Sequence, residues 1–477
     1  MAKGLTLARA FRLCGHRVIG ADVESHGIPC SGRFSRALSR FCKLGRPSTT
    51  SSREYIRSLV DIIEAEDVNL WVSCSGVSSA AEDAEAKEVI EARTKCRCIQ
   101  FDVATTMELH EKDAFMRAAK RLGLPVPETH DVTSPQQVME ILRRSNRDDG
   151  QQHRGGGGGG SSRGRERPFI LKTVGVDDTH RANMTLLPLL GPALGGQQDI
   201  SWPDTQRYVT RLPISAQNPW IVQQFIPGGQ EYCTHALVVR NEVRCFTACP
   251  SAELLMHYEA LGPESALYQA MLAFTREYVA RNSAADGVGQ MTGHLSFDFM
   301  VEDVAASSDK FERRFYAIEC NPRAHTAVVL FAQEGPAMEA MVEAYMSATS
   351  DYENNAGSRK TVANGDAQSA VQSVPVSPAG SPLPRYWLAH DLVALVSQPL
   401  VRLILGADGA AGGQLVRGVL KFLEHVLTWK EGTFEIWDPM PAVWLYHVYW
   451  PLTLLSALWR GVRWSRVNVS TTKMFLC

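Results

Sequence analysis

The segment Y-A-I-E-C-N-P-R-A-H-T-A-V, residues 316–328, sets Glu319, Asn321 and Arg323 at every second position as an apolar run ends. Successive strand side chains alternate faces, so a strand through Glu319 and Asn321 that runs into a turn projects all three the same way. Upstream, H-L-S-F-D-F-M-V-E separates Leu295, Phe297, Phe299 and Val301 from Ser296, Asp298 and Met300, which predicts a neighbouring strand with Asp298 on its polar face. Two carboxylates and an amide oxygen are hard ligands, suited to one or two magnesium ions whose shells phosphate oxygens and water complete. A plainer reading is an ion pair between Glu319 and Arg323 at a strand end. Taken alone, these residues leave both readings open.

Cations elsewhere bear on the choice. Lys172 lies inside the strand pattern I-L-K-T-V, where an unpaired ammonium is costly to bury, so it calls for an anion. Lys112, just before an amphipathic helix pattern, reads either as an ordinary exposed lysine or as a second phosphate ligand. In I-V-Q-Q-F-I-P-G-G-Q-E a strand is broken by Pro227-Gly228-Gly229. The backbone around Gln224, Phe225 and Ile226 is placed to read an adenine edge, and Glu231 to meet ribose hydroxyls. No G-x-x-x-x-G-K-[ST] occurs, which excludes a P-loop.

These residues need a scaffold. The first part of the chain alternates helix and strand patterns, with R-V-I-G-A-D, N-L-W-V-S-C-S and C-R-C-I-Q-F-D as strands, the rhythm of an open parallel sheet. It starts on a helix with no strand before Lys3-Gly4, which reads as a domain shortened at its start. Residues 145–167, with six glycines at 155–160, read as a flexible insertion; their formal match to G-x-G-x-x-G follows no strand. The expected layout is an N-terminal α/β domain over 1–105, a two-lobed domain over 106–345, a disordered linker over 346–383 and an aromatic-rich helical C-terminal region over 384–477. The fold class is α/β, with α+β character in the two-lobed part.

Composition sets the outer bounds. Lys and Arg number 49 against 51 Asp and Glu, so no whole-protein field favours nucleic acid or an anionic surface. Eleven cysteines are scattered without paired zinc-type spacing, and the N-terminus lacks an apolar signal core, so reduced thiols and a cytoplasmic location are expected. The apolar stretch 442–459 contains His447 and Pro451 and is read as a buried or dimer-facing helix pair rather than a membrane span.

The order Lys112, Lys172, Gln224-Phe225-Ile226 with Glu231, Asp298 and E-C-N-P-R resembles the ATP-grasp superfamily over residues 1 to 345. The resemblance implies that the two lysines bind nucleotide phosphates, the hinge holds adenine and Glu231 holds ribose. It further implies that Asp298, Glu319 and Asn321 bind Mg2+ or Mn2+, and that Arg323 supports the transferred phosphoryl group of ATP. The phrases H-E-K-D-A-F, L-P-I-S-A-Q-N-P-W-I-V-Q-Q-F-I-P-G, E-Y-C-T-H, P-L-P-R-Y-W-L-A-H-D and D-P-M-P are similar to the ligases that form mycosporine-glycine and to their fungal secondary-metabolism relatives. Two departures stand out. The glycine insertion is foreign to the pattern, and the usual glycine-rich lid is replaced by a segment in which His180 and Arg181 are expected to cover the phosphates.

The resemblance implies an ADP-forming ligase of the carboxylate–amine type, taking a small-molecule acid or enol such as 4-deoxygadusol and an amino acid such as glycine. His325, Thr326 and His235 flank the motif strands and are expected at the substrate, His325 in a catalytic role; each histidine reads equally as a hydrogen-bonded core residue. Two alternatives stay open, a dipeptide-type ligase and an inactive ATP-binding module. A homodimer is a further expectation.

Overall fold

The computed structural model describes residues 1–24, 27–47, 51–76, 79–152, 168–173, 184–192, 198–226, 229–251, 256–285, 290–303, 313–349, 374–406 and 411–476. The glycine run at 155–160, His180, Arg181, Pro227 and Gly228 lie outside them, as does most of the expected linker. The chain mixes helix and sheet, the α/β class that the sequence pattern predicts. It divides into two compact units, a larger one of residues 1–110, 231–298 and 320–476 and a smaller one built from 111–230 and 299–319.

In the larger unit the N-terminal alternation is realised as parallel pairs. Ile19–Asp22 pairs with Arg40–Lys43, and Leu70–Val72 with Arg97–Ile99. Helices Arg53–Glu66 and Ala80–Arg93 connect them, burying Tyr55, Leu59, Ile63 and Ile90 in one apolar cluster. A four-stranded sheet runs Glu242–Pro250, Gln230–Val239, Gly293–Asp303, Arg313–Asn321 in spatial order, and of it residues 231–239, 242–250, 293–298 and 320–321 belong to this unit. Its first two strands form a hairpin whose turn places Arg240 and Asn241 at φ of 50° and 66°, the left-handed pair that a tight hairpin demands. Leu295, Phe297, Phe299 and Val301 are all buried, as their alternation predicts.

The C-terminal region packs on this unit through polar anchors as well as apolar ones. Asp438, fully buried, accepts from Arg9 Nε at 2.9 Å, Ser35 Oγ at 2.6 Å and the Arg36 N–H at 2.8 Å. Arg9 also donates to the Thr433 and Asp438 carbonyls at 2.8 and 2.9 Å. The phrase D-P-M-P therefore earns its aspartate by holding the helix Ala2–Leu13. Trp387 is buried and donates to Thr433 Oγ1 at 3.1 Å, while a Cβ at Gly432 would stand 2.4 Å from its ring, so only glycine fits there.

The smaller unit carries an antiparallel sheet in the order Thr129–Val132, Trp220–Gln224, Phe169–Thr173. One face holds Val132, Phe169, Leu171, Trp220 and Val222 against the helices Pro135–Gln152 and Trp202–Thr210. The period of two turns Ile170, Lys172, Ile221 and Gln223 to the opposite face.

Candidate active site

In the smaller unit, Lys172 reaches diagonally across the strand pair to donate from Nζ to Gln223 Oε1 at 2.7 Å. Gln223 Nε2 donates in turn to Thr129 Oγ1 at 3.3 Å. The lysine is half-buried on the face it shares with buried Ile170, Ile221 and Gln223. At the hinge, the Gln224 N–H donates to the Glu128 carbonyl at 2.8 Å and the Phe225 N–H to the Pro168 carbonyl at 2.7 Å. Those two donors are spent within the fold, whereas for the amide of buried Ile226 no partner occurs among the described residues. Gly229 packs tightly: a Cβ there would meet Met300 Cε at 2.8 Å.

Lys112 opens the helix Lys112–Arg121 and pairs with Glu319, Nζ to Oε2 at 3.1 Å, both side chains about a quarter exposed at 28% and 25%. Glu319 thus has its ion pair with Lys112, whereas the plainer sequence reading set it against Arg323. The Ala317 N–H donates to the Pro125 carbonyl at 3.1 Å, fixing the strand beside the turn that leads away from that helix.

In the larger unit, Asn321, buried, donates from Nδ2 to Asp298 Oδ2 at 3.2 Å and accepts at Oδ1 from Arg323 at 2.7 Å. The Arg323 N–H closes a turn onto the Asn321 carbonyl at 2.8 Å, with Pro322 between them. The result is a chain of carboxylate, amide and guanidinium. As it stands, Asn321 offers Asp298 a proton. Turning the amide about its last torsion would face its oxygen to the carboxylate, an arrangement that a cation stabilises and hydrogen bonding does not. The oxygens of Asp298 and Asn321 are hard donors and fit a divalent cation of the magnesium type. Glu231 is exposed at the start of its strand, where Ser251 Oγ donates to Oε1 at 3.3 Å.

His325 is held differently from the substrate contact expected of it. Its Nδ1 accepts from the Ala327 N–H at 3.2 Å, capping the turn Thr326–Phe331, and its own N–H donates to His235 Nδ1 at 3.3 Å. Burial, reinforced by Arg323, pushes the His325 imidazolium well below its usual range. Burial, then Lys3, takes His235 down to about 3. Both rings are neutral at physiological pH, and Thr326 is buried beside them. His235 Nε2 is buried with no hydrogen-bond partner among the described residues.

Sequence reasoning missed Lys3. It sits in the first turn of the N-terminal helix, is buried, and donates from Nζ to the Ala324 carbonyl at 3.0 Å and to the Ser75 carbonyl. Burial first, then Arg323, lowers it to about 7. Its contact with Ala324 fixes the residue between Arg323 and His325. A second missed cluster joins His257, Asp391 and His425: His257 Nε2 lies 2.7 Å from one carboxylate oxygen and His425 Nδ1 2.6 Å from the other. Among the described residues these form the one group of three His, Cys, Asp or Glu side chains close enough to share a cation. Each carboxylate oxygen meets an imidazole, while the other ring nitrogen of His425, Nε2, is buried with no hydrogen-bond partner among the described residues.

No protein-family model matches the chain, and no curated protein matches its sequence. Solved structures do give partial likenesses. N5-carboxyaminoimidazole synthetase from Staphylococcus aureus is 11% identical with a TM-score of 0.47, over 80% of this chain and 78% of that one. Biotin carboxylase from Campylobacter jejuni is 13% identical at a TM-score of 0.45, over 72% and 68%. L-amino acid ligase from Bacillus licheniformis is 12% identical at 0.44, over 72% and 71%.

Proposed function

We propose that the chain is an ATP-dependent, ADP-forming ligase with an ATP-grasp type of site. More particularly, it joins an amine to an activated oxygen-bearing carbon: the γ-phosphoryl group of ATP passes to an acid or enol oxygen of a 4-deoxygadusol-like substrate, and an amino acid's nitrogen then displaces phosphate. The observation that carries this reading is the hydrogen-bonded chain Asp298–Asn321–Arg323 at the end of one strand, an oxygen-donor set finished by a guanidinium.

Asp298, Asn321 and Glu319 would hold magnesium, which supplies neutralising charge for the triphosphate when bound. Lys172 and Lys112 supply positive charge for phosphate oxygens, and Lys112, now paired with Glu319, would be released for phosphate were that carboxylate to hold the cation. Arg323, held in its turn by the bond from its backbone N–H to the Asn321 carbonyl, meets charge on the transferred group, and little covalent work is asked of the protein. Ile226 reads adenine through its backbone, flanked by Gln224 and Phe225, and Glu231 takes the ribose hydroxyls. His325 acts as a positioning residue that caps the turn after Arg323.

The test is a mass-spectrometric product screen with magnesium-ATP, 4-deoxygadusol and a panel of amino acids. A condensed product formed with stoichiometric ADP supports the reading. Stimulation only by pairs of amino acids moves the assignment to a dipeptide-type ligase, and ATP binding without turnover under any acceptor moves it to an inactive binding module.

A further inference from the structure

The C-terminal region wears its apolar side chains outside. Among the described residues, every exposed large hydrophobic side chain except Leu13, Met107, Met184 and Val374 follows residue 380. Most belong to one helical hairpin, whose first arm runs in turns from Leu388 to Ile404 and whose second is the helix Ala411–Thr428. The arms cross closely, since a Cβ at Gly418 would stand 1.9 Å from the Leu395 carbonyl oxygen. Gly418 and His425 therefore mark the inward side of the second arm, and both are buried.

Helical periodicity sorts the rest of that arm. Val416, Leu420, Leu423 and Leu427 fall on the side away from Gly418, and Leu420 and Leu427 are 62% and 81% exposed. Gln414, Arg417, Lys421 and Glu424 form a narrower polar strip along one flank. The tip of the first arm is Leu403-Ile404-Leu405, with Ile404 and Leu405 each 73% exposed. An apolar arc of this breadth with a basic flank is the pattern of a helix that lies in a bilayer interface. No helix of the described residues is long and apolar enough to cross a membrane.

Charge decides between a bilayer and a second copy. Among the described residues of the hairpin, the exposed ionised side chains are Arg402, Arg417, Lys421 and one acid, Glu424, and the sequence between the two arms adds Asp408. The next apolar helix, Trp450–Trp459, has the same composition: Leu455, Leu458 and Trp459 are exposed, Arg460 and Arg463 follow, and after Asp438 the sequence holds no acidic residue. A two-fold dimer would bring this basic surface against itself. Anionic lipid headgroups complement it, and long basic side chains reach them while their stems lie among acyl chains.

We propose that the hairpin 388–428 docks the protein on the surface of an anionic phospholipid bilayer, with Leu420, Leu427 and the Leu403–Leu405 tip below the headgroups. The full-length protein is tested by flotation with vesicles of phosphatidylcholine alone and of phosphatidylcholine with about a third phosphatidylserine. The protein should float with the anionic vesicles and be shed as salt rises. Leu420→Asp with Leu427→Asp should weaken this about ten-fold or more, since both positions face solvent and the variant keeps its helical circular dichroism. Arg417→Glu with Lys421→Glu should abolish the preference for phosphatidylserine. Absence of flotation with either vesicle overturns the proposal. So does a lipid-free dimer, seen by light scattering, that Leu420→Asp with Leu427→Asp converts to monomer while the unaltered protein does not float.

Discussion

Asp438→Ala removes a buried carboxylate that serves three donors and leaves Arg9 short of its charged partner. Breaking a buried ion pair from one side costs about 3–5 kcal/mol, because the surviving charge stays desolvated. Arg9 keeps its two carbonyl acceptors, which argues for the lower part of that range, while the Ser35 hydroxyl and Arg36 N–H each lose an acceptor, which argues for the upper part. We expect about 4 kcal/mol, read as a shift of the urea midpoint followed by tryptophan fluorescence. The effect should extend to function. Arg9 and Lys3 share one helix, and Lys3 holds the carbonyl next to Arg323. Ligase turnover should therefore fall in the variant even where it remains folded. Asp438→Leu paired with Arg9→Met should recover much of the stability, since no charge is then stranded. A loss below about 1 kcal/mol in Asp438→Ala would refute the claim that this carboxylate braces the N-terminal helix.

Further consequences are as direct. Lys3 titrates near 7 in the fold against 10.5 unfolded, so the unfolded chain binds more protons between those values and stability should climb as pH rises through that window. Below it the cost of burying the charge is fully present, and Lys3→Met should flatten the climb, measured by urea midpoints from neutral to alkaline pH. Lys172→Met removes the charge that the proposed function directs at phosphate and should lower kcat/KM for ATP by about a hundredfold with unchanged circular dichroism. Gly432→Ala drives a methyl into the Trp387 ring and should cost about 1–3 kcal/mol, visible in the tryptophan emission as well as the midpoint.

Short-range pattern carried much of this structure. The alternation through Leu295–Val301 is a period-two signal, and the strands around Lys172, Ile19–Asp22, Leu70–Val72 and Arg97–Ile99 likewise appear where their apolar runs place them. The strand Arg40–Lys43 escaped notice because S-R-F-C-K has no clean alternation. Long-range polar pairing was invisible. Nothing local to Arg9 announces Asp438, and nothing near His257 announces Asp391 and His425, because such contacts are set by how distant elements pack. Lys3 looked like a charge at the start of a helix, and only its burial made it a holder of the Arg323 turn. The C-terminal helices show the converse limit. Hydropathy marked 442–459 as apolar and suggested burial, yet Leu452, Leu455, Leu458 and Trp459 face outward, since composition does not say what covers a side chain.

The central claim rests on the strand that ends in Asn321. The most direct measurement is ADP release with magnesium, ATP and both substrates, in the unaltered protein and in Asn321→Ala and Glu319→Ala variants verified as folded by circular dichroism. The account predicts substrate-dependent ADP release in the first and its loss in both variants. Full turnover retained in both would contradict it.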